Sequence, residues 1–217
     1  HAAGVAEAAG ESARVPRMLR KMAFLERCRN RYSRALGDLV EAQARLSMVR
    51  DAKEMTEVLR EMALVEQALG DLPKAAQHLN EAVDLATETL DSAALSRALL
   101  ALGSLETQRG NREQGLQYNL EGLRIAERSG NPTEAAHARI VVGTSLAEMG
   151  RFQESLHYYE TGLDAAKLLG NLRLTAYATL NRTAALLDLQ RHEEAGGVLQ
   201  EAVGYFEILE ERDTLAL

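Results

Sequence analysis

The chain has 217 residues, of which 46% are apolar, and a formal net charge of −7. The negative charge argues against nucleic acid or an anionic membrane as the partner of the whole chain. The uncharged apolar runs are too short to span a membrane, and the single cysteine, Cys28, rules out an internal disulfide. Such sparse cysteine fits a reducing compartment, so we expect a cytoplasmic protein.

Abundant alanine, leucine, glutamate and arginine, with only three prolines, predict helix almost throughout, and no segment alternates as a strand does. The chain starts at His1 rather than at a methionine, and no signal-peptide pattern follows. We therefore expect a piece excised from a longer protein. In this interpretation residues 1–10 are the end of a preceding helix or a tag remnant, and residues 211–217 are the start of a further helix or a truncated end.

The chain repeats itself every forty residues. A glycine followed by a polar residue recurs at that step, at Gly70-Asp71, Gly110-Asn111 and Gly150-Arg151, and similar breaks lie halfway, at Gly130-Asn131 and Gly170-Asn171. Glycine in the left-handed conformation ends a helix at little cost. The sequence therefore predicts two helices in each of five repeats, which span residues 11–50, 51–90, 91–130, 131–170 and 171–210.

The residues after these breaks are typical of helix starts. Asn131 is the expected N-cap before Pro132, and we expect Asp51 and Asn111 to cap their helices in the same way. We also expect Pro16 near the start of its helix, because a proline there does not interrupt the hydrogen bonds of the helix interior.

Small and apolar residues recur at fixed positions within the repeats. In the first helix, one position holds Ala23, Ala63, Gly103, Gly143 and Thr183. Small residues there let paired helices approach closely. In the second helix of the fourth repeat, Ser155, Tyr159 and Gly162 occupy the recurring positions. We therefore interpret the conspicuous His157-Tyr158-Tyr159 run as scaffold rather than as a site.

These positions resemble the tetratricopeptide repeat. The separations from Ala63 to Ala75, Leu79 and Ala82 are 12, 4 and 3 residues, and Gly150-Arg151-Phe152 is similar to the turn of that family. The resemblance covers residues 11 to about 210. The period departs from the family standard of about 34 residues, and longer repeats of this kind are similar to those of kinesin light chains and bacterial signalling regulators.

The resemblance implies an all-α, right-handed α-solenoid of antiparallel helix hairpins. It also implies a concave groove lined by the first helix of each repeat, where such arrays bind their ligands. Transferred position by position, the candidate groove residues are Arg17, Arg20, Phe24, Arg27, Arg60, Arg97, Leu100, Gln108, His137, Ile140, Thr144, Tyr177, Leu180 and Asn181. In this set Asn181 is the side chain suited to hydrogen-bond a peptide backbone.

Positive charge is concentrated in the first repeat. Residues 11–50 hold ten Lys/Arg and four Asp/Glu, a net of +6, while the remainder has a net of −13. One interpretation is that these arginines are solvated helix faces. The other is that they contact an anionic partner, which would be an acidic peptide, a partner domain or the acidic part of another copy. Nucleic acid ranks third, because one basic patch on an acidic chain is weak support.

The sequence offers little for catalysis. The internal histidines do not pair at metal-ligand spacing, and no phosphate-binding loop or hydrolase motif is present. We therefore expect no enzyme activity, no cofactor and no metal. The favoured hypothesis is a protein- or peptide-binding scaffold or sensor, the regulatory part of a larger bacterial signalling or transcription protein. The alternative is a self-association module that dimerises through its terminal helices.

Overall fold

The computed structural model describes the backbone of residues 2–49 and 51–215 and the side chains of residues 14–49 and 51–210. Within these ranges the chain consists of ten helices joined by short loops, with no strand. The helices are α1 (Ala2–Cys28), α2 (Tyr32–Val49), α3 (Ala52–Leu69), α4 (Leu72–Glu88), α5 (Ser92–Gln108), α6 (Arg112–Arg128), α7 (Pro132–Glu148), α8 (Phe152–Leu168), α9 (Leu172–Asp188) and α10 (His192–Leu215). The predicted all-α class of antiparallel helix hairpins is confirmed.

The helices group into two compact units, residues 1–105 and 106–217. In the first unit α1 pairs with α2 and α3 with α4, and α2 packs on α3. In the second unit α7 pairs with α8 and α9 with α10, while α6 packs on α7 and α8 on α9. Loops of two or three residues join successive helices within each unit, so partners run antiparallel.

The described backbone at both ends of the chain is helical. The backbone of α1 continues without a break through residues 10 and 11, and that of α10 continues through residue 211. Pro16 therefore lies inside α1, and the expectation that it lies near a helix start is wrong. Because proline has no amide hydrogen, α1 lacks one of its internal hydrogen bonds at this point. The side chains of residues 1–13 and 211–217 lie outside the described residues.

The predicted helix ends are confirmed by the backbone angles. The glycines at 70, 110, 130, 150 and 170 all have φ between 63° and 90°. At Gly70, the amide of Asp71 donates to the carbonyl of Glu66 over 2.9 Å, the outer hydrogen bond of a Schellman cap. Three residues without glycine's freedom take the same conformation: Asn30, Leu90 and Gln190.

We expect Leu90→Gly to raise the free energy of unfolding by about 0.5–1 kcal/mol, because φ is 51° at Leu90 and its side chain is almost fully exposed. The matched control is Gly70→Ala, which places a side chain at φ 83° and should destabilise by about 1 kcal/mol. Urea denaturation followed by circular dichroism measures both. A loss of stability in Leu90→Gly would contradict the assignment of strain to this residue.

Two of the three expected N-caps are confirmed. Asp51 Oδ1 accepts from the amide of Glu54 over 3.1 Å, and Asn131 Oδ1 accepts from the amides of Thr133 and Glu134. Asn111 makes no such bond, so that expectation is wrong. Its side-chain amide instead donates to Glu106 over 2.7 Å, and this charge-assisted bond competes with capping.

The small-residue positions are where paired helices come close. Gly143 on α7 faces Tyr159 on α8, and a Cβ built on Gly143 would lie 2.7 Å from Tyr159 Cε1. Tyr159 is buried in the core of the second unit, as predicted, and His157 of the same helix is exposed. In the first unit, Ala23 and Leu39 occupy the corresponding positions and belong to one core cluster.

Candidate functional site

The odd-numbered helices carry the predicted groove residues. In the first unit, α1 contacts α3 directly. The arginines that α1 directs to this side do not stand free. Arg20 makes a 2.6 Å ion pair with Glu54, and Arg27 makes a 3.3 Å ion pair with Glu61.

The same charge network extends from α3 to α5. Arg60 contacts Glu61 over 2.7 Å and Glu57 over 3.3 Å. Glu57 in turn accepts two bonds from Arg97 of α5, over 3.0 and 2.5 Å. Arg20, Arg27, Arg60 and Arg97 therefore all serve as counterions of three glutamates on α3. We call these four arginines with Glu54, Glu57 and Glu61 the α3 charge network.

Burial sets the electrostatics of the α3 charge network. The side chains of Glu54 and Glu61 are nearly inaccessible to solvent. Burial acts to raise the pKa of Glu57, but the charges of Arg60 and Arg97 outweigh it, so that the pKa lies below its ordinary value of 4.5. Burial acts to lower the pKa of Arg20, but its bond to Glu54 together with the negative charges of Glu54, Glu57 and Glu61 outweighs this, and the pKa is raised. Glu57 and Arg20 are therefore both charged at neutral pH.

The sequence did not single out the acidic half of this network. The signal that could have found it is a constant separation, six residues shorter than the period: Arg17 and Asp51, Arg20 and Glu54, and Arg27 and Glu61 are each separated by 34 residues. A fixed separation of opposite charges across consecutive first helices indicates contacts between them. Among the predicted groove residues of α1, Arg17 and Phe24 are exposed, although Arg17 contacts Asp51 over 3.3 Å. The guanidinium of Arg27 lies 5.3 Å from the Phe24 ring centre.

Two predicted groove residues are in the core instead. Leu100 is 4% exposed and Ile140 is fully buried, the latter in a cluster with residues of α8 and α9. Their assignment as ligand contacts is corrected, because neither side chain reaches the surface. At the same repeat position in α9, Leu180 is 42% exposed, so the aliphatic residue type alone does not decide burial at this position.

In the second unit, α7 and α9 lie in contact and carry all the remaining candidates except Gln108, which is the last residue of α5. Thr144 is half-buried: its hydroxyl donates to the carbonyl of Ile140 and accepts from the Tyr159 hydroxyl over 3.4 Å. Burial raises the pKa of Tyr159, which therefore stays protonated. His137 is also half-buried, and Gln108 is exposed on α5.

The surface of α9 is open to solvent. Tyr177 and Leu180 are each more than two-fifths exposed, and Leu187 continues the same apolar stripe. Beside them, the Asn181 amide nitrogen Nδ2 is shielded from solvent and makes no hydrogen bond. An amide donor in that state is costly without a partner. The α9 surface, as we call these four residues, thus combines apolar area with an unused donor.

Among the described residues, no three His, Cys, Asp or Glu side chains converge as metal ligands. None of the described helices is both long enough and apolar enough to cross a membrane. Cys28 is exposed at the end of α1.

Comparison with known families matches two parts of the chain. Residues 54–128 match the family model described as tetratricopeptide repeat, and residues 141–215 match the model described as anaphase-promoting complex subunit 5. No curated protein sequence matches the chain.

Solved structures show the same fold at low sequence identity. The chain is similar to a Rap protein complexed with competence and sporulation factor, with 16% identity and a TM-score of 0.78 over 86% of this chain and 52% of that one. It is similar to the Rap conjugation gene regulator of plasmid pLS20 in complex with the Phr* peptide, with 15% identity and a TM-score of 0.74 over 88% and 52%. The chain thus spans about half the length of these two proteins.

A third structure matches over nearly its whole length. It is a putative kinesin light chain from Podosopora anserina with nearly identical repeats, at 14% identity and a TM-score of 0.65 over 89% of this chain and 95% of that one. Together with the recurring small residues and left-handed helix ends, these matches identify the repeats. Residues 54–128 therefore consist of tetratricopeptide repeats, and the chain has the fold of the tetratricopeptide-repeat structures to which it is similar.

Proposed function

We propose that the chain is a non-catalytic scaffold or sensor that binds a protein or peptide, and that it is the regulatory part of a larger bacterial signalling or transcription protein. The observation that carries this proposal is the α9 surface, where the exposed Tyr177 and Leu180 flank the unpartnered Nδ2 of Asn181. A peptide offers what this surface lacks, since its side chains cover apolar rings and its backbone carbonyls can accept from the Asn181 amide once this half-buried side chain turns outward.

Two similarities support the proposal. Half of a Rap regulator solved with the Phr* peptide shares this fold. The tetratricopeptide scaffold also leaves its surface side chains free to vary, so a binding face can be placed on it without disturbing the core. We place the protein in the cytoplasm on the sparse cysteine alone.

The charge network changes the expected chemistry of the ligand. An acidic ligand was one interpretation of the basic first repeat, yet Arg20 and Arg27 already bind glutamates of α3. An anion would have to displace these buried carboxylates, which costs more than displacing water. We therefore propose a peptide with apolar side chains on the α9 surface, rather than an acidic peptide or nucleic acid on α1.

Selection of peptides from a random displayed library on the immobilised chain tests this function. We expect peptides with apolar and aromatic residues, and we expect Asn181→Ala to weaken their binding by about tenfold or more, as measured by calorimetry. Gln200→Ala, which removes an exposed amide on α10, is the matched control and should leave affinity unchanged. Failure to select any peptide, or equal affinity for Asn181→Ala, would refute the proposal.

A further inference from the structure

Two helices expose apolar stripes that the proposed peptide site does not use. On α1 the stripe consists of Val15, Met18, Met22 and Leu25, and on α10 it consists of Leu199, Val203 and Phe206. Spacings of three and four residues place each set on a single helix face. We call these the α1 stripe and the α10 stripe.

The first unit shows what side chains at these positions do when covered. On α3, Val58, Met62 and Val65 lie forty residues after Met18, Met22 and Leu25 in the repeat. They pack in one cluster with Leu39, Ala42 and Leu46 of α2. Four periods later, the positions of Leu39, Ala42 and Leu46 hold Leu199, Ala202 and Phe206 of α10. In the contact between α2 and α3, the α2 residues correspond to those of α10 and the α3 residues correspond to those of the α1 stripe. This contact is therefore a template for packing the α10 stripe on the α1 stripe.

Exposure at these positions changes sharply between the template and the stripes. Val58 is fully buried, whereas Met18 at the same repeat position is 54% exposed. Leu39 is also fully buried, whereas Leu199 is 45% exposed. Both stripes carry large apolar side chains at solvent-exposed positions, where polar side chains are more usual. This indicates that another protein surface covers both stripes.

The second unit repeats the template. On α8, Tyr159 and Leu163 pack in one cluster with Ala178 and Ala185 of α9. In the repeat, Tyr159 and Leu163 correspond to Leu199 and Val203 of the α10 stripe. Ala178 and Ala185 correspond to Met18 and Leu25 of the α1 stripe. The contact of α2 with α3 and the contact of α8 with α9 therefore both pack the same two sets of repeat positions against each other.

The charges beside the two stripes are opposite. Arg14 and Lys21 lie on the same face of α1 as Met18 and are exposed, and no ion pair within the described side chains engages them. On α10, residues 192–210 contain five glutamates and neither lysine nor arginine. One of these glutamates, Glu207, is exposed next to Phe206. Opposite charge around an apolar contact favours the encounter of α1 with α10 and disfavours contact of either stripe with itself.

We infer that the α1 stripe of one copy of this chain packs on the α10 stripe of a second copy, in the register by which α3 packs on α2. The contact is heterologous, because the two stripes differ in sequence and charge. Each copy therefore keeps one stripe free after pairing, so that association can continue beyond a dimer. This refines the earlier hypothesis of dimerisation through terminal helices by assigning the contact a direction.

Light scattering coupled to gel filtration over a range of protein concentrations tests this inference. We expect the molar mass of the 217-residue chain to rise with concentration. Met18→Glu with Met22→Glu blocks the α1 stripe, and Val203→Arg with Phe206→Arg blocks the α10 stripe. Each double variant alone should raise the Kd of self-association at least about tenfold. Met48→Glu, at an exposed position of α2 outside both stripes, is the matched control.

Mixing the two double variants separates a directed contact from a symmetric one. Each variant retains the stripe that the other has lost, so the mixture should form a 1:1 dimer that grows no further. All substituted side chains are exposed, and unchanged circular dichroism verifies that the variants fold.

Three results would overturn the inference: a wild-type chain that stays monomeric at every concentration, a double variant that associates as the wild type does, or a mixture that stays monomeric. The inference is independent of the proposed peptide site, because no substitution touches the α9 surface. Peptide binding that is unchanged in both double variants would show that the peptide site on the α9 surface does not depend on self-association through the stripes.

Discussion

Gly143→Ala should lower the free energy of unfolding by about 1–3 kcal/mol, although alanine is the better helix former. A Cβ at this position would lie 2.7 Å from Tyr159 Cε1 and 3.2 Å from the carbonyl oxygen of Ser155. The Tyr159 ring is only 3% exposed, so it has little room to move aside. Urea denaturation monitored by far-ultraviolet circular dichroism measures the effect in a chain that has no tryptophan.

Gly196→Ala is the matched control for this prediction. Gly196 also lies inside a helix, α10, but a Cβ there meets no atom within 4 Å. The same substitution should stabilise by up to about 1 kcal/mol at this position, because alanine loses less backbone entropy than glycine on folding. Equal effects at Gly143 and Gly196 would show that the close approach of α7 to α8 is not a constraint on sequence.

The other repeats indicate a second substitution that should compensate for Gly143→Ala. Where the first helix holds alanine, the facing residue is leucine, as in Ala23 with Leu39; where it holds Gly143, the facing residue is Tyr159. Adding Tyr159→Leu to Gly143→Ala should therefore recover part of the lost stability. A double-mutant cycle should show a coupling of about 1 kcal/mol or more, and additive effects would contradict direct contact as the cause.

Much of this fold could be predicted because its determinants are local. Gly70 and Gly110 end helices at positive φ, as their spacing indicated, since a left-handed residue is needed there whatever packs around it. Local signals failed where a contact competed. Asn111 follows the capping pattern but donates to Glu106 instead, and Pro16 lies inside a helix that starts earlier than its proline suggests.

The candidate site was less predictable because it depends on partners in other helices. Arg20 and Arg27 were identified as ligand contacts from their positions, but position does not reveal that Glu54 and Glu61 meet them. Ile140 occupies a groove position yet is drawn into the core. Tyr177 and Leu180 are exposed, yet Leu180 holds the same repeat position as Ile140, so the helix face alone does not decide which of these side chains reach the surface.

Replacement of Glu57 by glutamine should destabilise the chain by about 1–3 kcal/mol at neutral pH, because Arg60 and Arg97 each lose a half-buried carboxylate partner. Glu41→Gln is the matched control: Glu41 makes an ion pair with Arg45 in which both side chains are about half exposed. Water screens such a pair, so its loss should change stability by less than about 0.5 kcal/mol.

The pH dependence of the difference between wild type and Glu57→Gln identifies its cause. The pKa of Glu57 is lower in the folded state than its ordinary value of 4.5. A carboxyl with a lowered folded pKa contributes stability that is fully present above its unfolded pKa and is lost as the pH falls through the folded value. The difference should therefore be constant from neutral pH down to about 5 and should shrink below 4.5.

Other carboxylates titrate in the same range, but they do so in both proteins, so their contribution largely cancels in the difference. A difference that persisted unchanged into acid would mean that glutamine disturbs packing at this position rather than charge. Shrinkage of the difference in acid would establish that the arginines of α5 and α3 are held by Glu57. These arginines would then be counterions of the fold rather than side chains free to bind an anionic ligand.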